Sequence, residues 1–113
     1  MDQRSVINHR YVGRFAPSPT GPLHFGSLVT ALASYLDARA HGGKWLVRVE
    51  DLDPPREITG SSTLILKQLR ALGMDWDGDV LYQSTRLSAY ESILEQLEDQ
   101  KICFRCDCSR QRV

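Results

Sequence analysis

With 113 residues the chain has room for one domain with a modest core and too little for two. Its 42% hydrophobic and 25% charged residues describe an ordinary soluble globular protein, and no segment reaches membrane-spanning length. Lysine plus arginine and aspartate plus glutamate number 14 each, which excludes a global basic field for nucleic acid but leaves room for a local patch.

The first ten residues, MDQRSVINHR, contain no apolar run and so do not read as a signal peptide. Three cysteines, an odd number without a secretory signal, suggest a reduced cytoplasmic chain and not a disulfide scaffold. Residues 11–16 (YVGRFA) predict a short strand. Pro17, Pro19 and Pro22 then end any ladder pairing and force a loop. Thr20 or Gly21 is the expected cap of a helix whose first position is Pro22, where a missing N–H costs nothing. Leu28, Ala31, Leu32, Tyr35, Leu36 and Arg39 recur at helical spacing, and Gly42-Gly43 ends the run.

Residues 44–50 (KWLVRVE) follow as a buried strand carrying Glu50, Asp51 and Asp53 at its end. A second helix is predicted from about Ser61 to Leu72, with Leu64, Ile65, Gln68, Leu69 and Leu72 as one stripe. A third is predicted from Arg86 to Gln100, grouping Leu87, Tyr90, Ile93, Leu94 and Leu97, with Gln83-Ser84 before it as a strand end or turn. Strand, helix, strand, helix favours an α/β sheet with right-handed crossovers.

In an open parallel sheet, ligands gather beyond the carboxyl ends of the strands. The Pro-rich loop and Glu50 both lie at that edge, and a helix N-terminus there offers N–H groups to an anion such as phosphate. His24 can donate to a phosphate oxygen, and Gly26 permits close approach to the backbone. Neither G-x-G-x-x-G nor G-x-x-x-x-G-K-[ST] occurs, and spacing alone favours His24 as a helix cap over His24 as a ligand.

Residues 14–27 (RFAPSPTGPLHFGS), followed by ARAHGGKWLVRVEDLD, resemble the N-terminal signature of glutamyl-type class I aminoacyl-tRNA synthetases. His24-Phe25-Gly26-Ser27 stands where that family has its HIGH motif, with Ser27 replacing the final histidine. The likeness runs from residue 11 to about residue 108, with several separated motifs in order. It is strongest to the tRNA-modifying branch: Asp53-Pro54-Pro55-Arg56, Trp76-Asp77-Gly78-Asp79-Val80 and Cys106-Asp107-Cys108 carry it. An ordinary glutamyl-tRNA synthetase, similar to about residue 53, is the alternative.

The resemblance implies the N-terminal half of a Rossmann-like parallel-sheet nucleotide-binding domain. It also implies ATP-dependent activation of L-glutamate, with Mg2+ accompanying ATP, and transfer of the glutamyl group to queuosine in the anticodon loop of tRNA(Asp). Arg14, Phe15, Ala16, Pro17, Ser18 and Glu50 are then the L-glutamate-binding residues. Arg14 matches a carboxylate bidentately, and Glu50 either accepts from the α-ammonium or pairs with Arg14 or Arg48. Pro19, Thr20, His24 and Gly26 fall to ATP, and His24, Gly26 and Ser27 form the catalytic motif. Asp51, Asp53 and Arg56 read as loop-fixing residues, with magnesium ligation by the two aspartates ranked below that; Trp45 and Trp76 read as packing residues.

Cys103, Cys106 and Cys108 form C-x-x-C-x-C. A redox pair would need a thioredoxin-like context that is missing. The resemblance assigns Zn2+ to Cys106 and Cys108 plus a tyrosine and a cysteine further on, with no counterpart for Cys103. Residues 1–113 are thus expected to form the first part of the catalytic domain, with a zinc-binding insertion starting at about 103–113 and the second half absent. A half-sheet leaves a strand edge uncovered, which favours self-association. Three functions stay in play: part of the modifying ligase, a glutamate- or nucleotide-binding module without chemistry, and a cysteine-rich interaction or metal module. These 113 residues alone are expected to give no ATP–pyrophosphate exchange, and a clear exchange signal from the pure chain contradicts that.

Overall fold

The computed structural model describes residues 11–112; the reading of residues 1–10 as free of a signal peptide lies outside them. Chain order is β1 (Val12–Phe15), α1 (Phe25–Ala40), β2 (Lys44–Val49), a 3-10 turn (Pro54–Arg56), α2 (Ser61–Ala71), β3 (Leu81–Tyr82), a second 3-10 turn (Gln83–Arg86) and α3 (Leu87–Asp99). The strands are all parallel, in the order β1-β2-β3, with Arg14 opposite Leu46 and Phe15 opposite Val47. The α/β class expected from the sequence is therefore the observed one.

Side chains of a strand alternate between faces, and in β2 one face wins. Trp45, Val47 and Val49 are buried, and Trp45 and Val47 cluster with Phe15 of β1, Ala31 and Ala38 of α1, and Ile65 and Leu69 of α2. Both helices thus cover a single face. Lys44, Leu46 and Arg48 point to the other, as do Val12 and Arg14 of β1. The apolar run in β2 predicted a buried strand; on its second face Leu46 and Arg48 are half-buried, and Lys44 is exposed. The expected stripe of α2 is narrower too, since Leu64 and Leu72 are exposed while Ser61, Ile65 and Leu69 are buried.

Helix α1 starts three residues later than its prolines predicted. Its N-cap is His24, whose Nδ1 accepts from the Ser27 N–H at 3.3 Å while Ser27 Oγ accepts from the His24 N–H at 3.1 Å. This is a capping box with histidine in the place usually held by serine or threonine. Thr20, Gly21 and Pro22 lie before the helix because the backbone there is held elsewhere. At its other end α1 stops at Gly42, in a left-handed conformation (φ 62). The Gly43 N–H there reaches the Ala38 carbonyl at 2.9 Å, a Schellman closure.

What holds the Pro-rich loop is an alternating set of hydrogen bonds. The Pro17 carbonyl accepts from the Glu50 N–H at 2.9 Å, and the Pro19 carbonyl from the Ile58 N–H at 3.0 Å. Gly21 donates its N–H to Ser61 Oγ at 2.9 Å and accepts from the same hydroxyl at 2.8 Å. The Leu23 N–H donates to Gln68 Oε1 at 3.0 Å. Odd-numbered residues therefore tie the loop to the end of β2 and to α2, and Pro17 and Pro19 are buried. Ser18, Thr20, Pro22 and His24, the even ones, stay exposed.

A second tie joins the remaining segments to β2. Asp77 Oδ2 accepts from Arg39 Nη1 at 2.7 Å and from the Trp45 N–H at 2.8 Å, while the Asp77 N–H donates to the Trp45 carbonyl at 2.8 Å. Trp45 sits in the core as expected, and Trp76 packs beside it with the Arg70 guanidinium 4.4 Å from its ring centre. In α3 the apolar stripe Leu87, Tyr90, Ile93 and Leu94 is exposed. No helix among the described residues is long and apolar enough to cross a membrane.

Ser61→Ala leaves both backbone groups of Gly21 without their partner and is expected to cost roughly 1–3 kcal/mol. Amide exchange should speed up at Gly21 while the Ile65 amide in the core keeps its protection relative to global stability. Asp77→Ala is expected to cost about 1–2 kcal/mol in urea unfolding, because the pair is partly solvated. The Arg39 guanidinium, then the Trp45 N–H, hold the Asp77 carboxyl below its usual range. Its contribution is thus present above the unfolded carboxylate value and lost as pH falls through the lower folded one. The stability gap between wild type and Asp77→Ala should close below about pH 4.

Candidate functional site

The Pro-rich loop and the start of α1 line a pocket of about 380 Å³ at the carboxyl end of β1, to which Pro17, Gly21 and Leu23 contribute as well as the even-numbered residues. Ala16, Ser18, Thr20 and Pro22 line it from the loop, His24, Gly26, Ser27 and Thr30 from the helix, and Phe15 and Ile65 from the core side. Capping decides what the helix end presents. The box occupies the N–H groups of His24 and Ser27, and no hydrogen bond among the described residues takes those of Phe25 and Gly26. Two amides and the positive end of the helix dipole thus remain for an anion.

The same cap sets the proton on His24. Because Nδ1 accepts from Ser27, the neutral ring carries its hydrogen on Nε2, which is then a donor. Gly26 makes room for this arrangement: a Cβ there would lie 3.1 Å from Cε1 and 3.2 Å from Nδ1 of the capping ring. An alanine would press on the imidazole.

Arg14 and Glu50 are not in this pocket. Arg14 is exposed on the sheet face that carries Leu46 and Arg48, opposite the core. Glu50 Oε1 accepts from Arg48 Nη2 at 2.6 Å, so of the two arginines considered as its partner the structure selects Arg48. Glu50 still joins the loop through its N–H on Pro17. Phe15, Ala16, Pro17, Ser18, Thr20, His24, Gly26 and Ser27 are therefore together around one pocket, with Arg14 and Glu50 around the end of the sheet. Pro19 lines a smaller depression of about 290 Å³ with Asp51, Pro54, Glu57 and Gly60.

The acidic loop after β2 is held as a loop. Asp51 accepts from the Ser84 N–H at 2.8 Å and its hydroxyl at 2.6 Å. Burial pushes the Asp51 carboxyl up, but the Ser84 hydroxyl and amide outweigh it and hold it below the usual range. Asp53 and Arg56 form an exposed pair at 3.3 Å.

Cys106 and Cys108 are exposed, and the Cys108 N–H followed by its thiol lowers the Cys106 thiol below its usual range. Cys103 is half-buried. No group of three or more His, Cys, Asp or Glu side chains among the described residues could hold a metal ion. Two thiols do not make the closed four-ligand set that structural zinc takes, so these residues do not by themselves fit zinc.

Sequence reasoning missed Ser61 and Gln68 as the residues that hold the loop. The available signal was a glutamine inside an apolar stripe, where a buried amide must find a backbone partner.

Three kinds of relative bear on this geometry. The Glutamyl-Q tRNA(Asp) synthetase of Pectobacterium atrosepticum is 59% identical over 93% of this chain and 33% of its own length. Its namesake in Escherichia coli K12 is 54% identical over 97% of this chain and 36% of its own. The chain thus spans about a third of the length of the curated relatives it matches. Among solved structures, a glutamate tRNA ligase from Elizabethkingia meningosepticum, determined in complex with its amino acid, is 38% identical. It superposes with a TM-score of 0.76 over 80% of this chain and 20% of its own. The catalytic domain of class I tRNA synthetases (E and Q) matches residues 11–113, so the parallel sheet, the capped helix and the pocket between them are those of a chain that belongs to the class I tRNA synthetase family.

Proposed function

We propose that this chain carries the glutamate- and ATP-facing part of a ligase that activates L-glutamate and transfers it to queuosine in the anticodon loop of tRNA(Asp). The observation that carries this reading is the pocket itself. His24, Gly26 and Ser27 at the capped start of α1 and the loop residues Ala16, Ser18 and Thr20 line one space at the sheet's carboxyl edge, beside a helix N-terminus whose Phe25 and Gly26 amides are unbonded among the described residues. The relatives at 54–59% identity, named Glutamyl-Q tRNA(Asp) synthetases, supply the substrate pair and favour this over an ordinary glutamyl-tRNA synthetase at 38%.

In the first step a carboxylate oxygen of glutamate attacks the α-phosphorus of ATP and pyrophosphate leaves, giving glutamyl-adenylate. No protein nucleophile is needed, so the chain positions groups and stabilises charge. The Phe25 and Gly26 amides and His24 Nε2–H meet phosphate oxygens, with Thr20 toward the nucleotide and Pro19, in the adjoining depression, backing the loop. Gly26 keeps the ring seated and Ser27 holds the cap. Mg2+ arriving with ATP neutralises phosphate charge. Arg14 takes the glutamate side-chain carboxylate, Glu50 the α-ammonium, and Phe15, Ala16, Pro17 and Ser18 form the wall between them. Transfer to the tRNA then expels AMP. We assign the last residues, from about 103, to the start of a zinc-binding insertion whose other ligands lie outside residues 1–113, and we assign the activity to the cytoplasm.

Calorimetric titration with a non-hydrolysable glutamyl-adenylate analogue tests the reading. The chain is expected to bind it, and Arg14→Ala to weaken binding by about tenfold or more, as when one partner of a charged pair is removed. Failure of the folded wild-type chain to bind overturns the reading. Equal binding by Arg14→Ala removes Arg14 from the glutamate site.

A further inference from the structure

We infer that Arg48 is a positioning residue for substrate, fixing the Glu50 carboxylate so that one oxygen stays available to an ammonium group; this rests on the glutamate-activating reading above. Three observations carry it. Arg48 Nη2 holds Glu50 Oε1 at 2.6 Å, and among the described residues only that oxygen is engaged. The Glu50 backbone is fixed as well, through its N–H on the Pro17 carbonyl at 2.9 Å. Finally, Arg48 Nε is buried without a hydrogen-bond partner among the described residues.

The last point separates positioning from stability. An unpaired buried donor costs free energy, and an ion pair with 24% and 34% exposed side chains returns little of it. A guanidinium kept in such a place is better explained by what it orients. A free glutamate side chain has three rotors, and their immobilisation opposes every binding event. With Oε1 occupied and the backbone pinned, Glu50 offers Oε2 in one direction before ligand arrives. Arg48 also sits on the sheet face of Arg14, two residues beyond the one paired with it, so the two ends of an amino-dicarboxylate meet groups preset on one surface.

A positive group beside the carboxylate could instead compete with the ammonium. The two roles predict opposite signs. The experiment uses the 113-residue chain, as wild type, Arg48→Gln and Arg48→Lys, titrated with two non-hydrolysable adenylate analogues: the glutamyl one and a glutaryl one lacking only the α-amino group. Positioning predicts that Arg48→Gln weakens the amino analogue by about five- to tenfold, the scale of one ordered side chain, and leaves the glutaryl analogue within about twofold. Arg48→Lys should recover part of the loss. A merely structural arginine lowers both affinities together, and a competing one raises affinity for the amino analogue; either result overturns the inference. If wild type binds both analogues equally, Glu50 does not read the ammonium and the inference falls while the pocket reading stands. If wild type binds neither, both fall.

Discussion

The site depends on how a segment poor in donors gets its backbone satisfied. Pro17, Pro19 and Pro22 carry no N–H, so this stretch cannot pair as a strand or wind into a helix, yet its carbonyls still require partners when buried. Glu50 and Ile58 supply backbone N–H groups, and Ser61 and Gln68 supply side chains. Because the anchors fall on alternate residues, the opposite side of the segment is left facing outward as a set. Five hydrogen bonds at four alternate residues therefore orient the segment that lines the pocket, and that wall is only as firm as α2.

That dependence runs on into the core. Ser61, Ile65 and Leu69 are successive buried positions of α2, so the residue that holds Gly21 and the residues that pack on Trp45 and Val47 move together. Glu50 is tied to Pro17 from the end of β2, the strand that carries those core residues. Loop, helix and strand end form one body. The sheet's second face, with Arg14, Leu46 and Arg48, is only partly covered and lies opposite the core, which is why the charged groups and the pocket come out on two sides of one edge.

Much of this was legible from periodicity. The α/β class, β2, and the extents of α2 and α3 to within a residue or so follow from apolar spacing, and the Gly42 stop follows from backbone stereochemistry. Three features were not legible, each because a contact distant in sequence overrode a local preference. Pro22 has the right φ for a first helical position, but the Gly21 carbonyl that would accept the first bond of such a helix is taken by the Ser61 hydroxyl. The β2 run reads as a buried strand throughout because Leu46 is as apolar as its neighbours, yet only Trp45, Val47 and Val49 are buried. Nothing local to Arg14 says which side of the sheet it leaves by; that follows from its register with Leu46 and from Phe15 being in the core.

His24 ties these levels together. Its spacing set two readings against each other, a cap and a ligand, as though one ring could serve only one purpose. The geometry makes them complementary. An imidazole has two nitrogens, and using Nδ1 as the acceptor for Ser27 leaves the hydrogen on Nε2. The cap therefore selects the tautomer that donates, and it spends the third-position amide while leaving Phe25 and Gly26 free. Serine or threonine at residue 24 could close the same box, but would leave no second donor beyond it. A histidine can finish the end of a helix and still present an N–H beyond it, and Gly26 is the residue that lets the ring lie there.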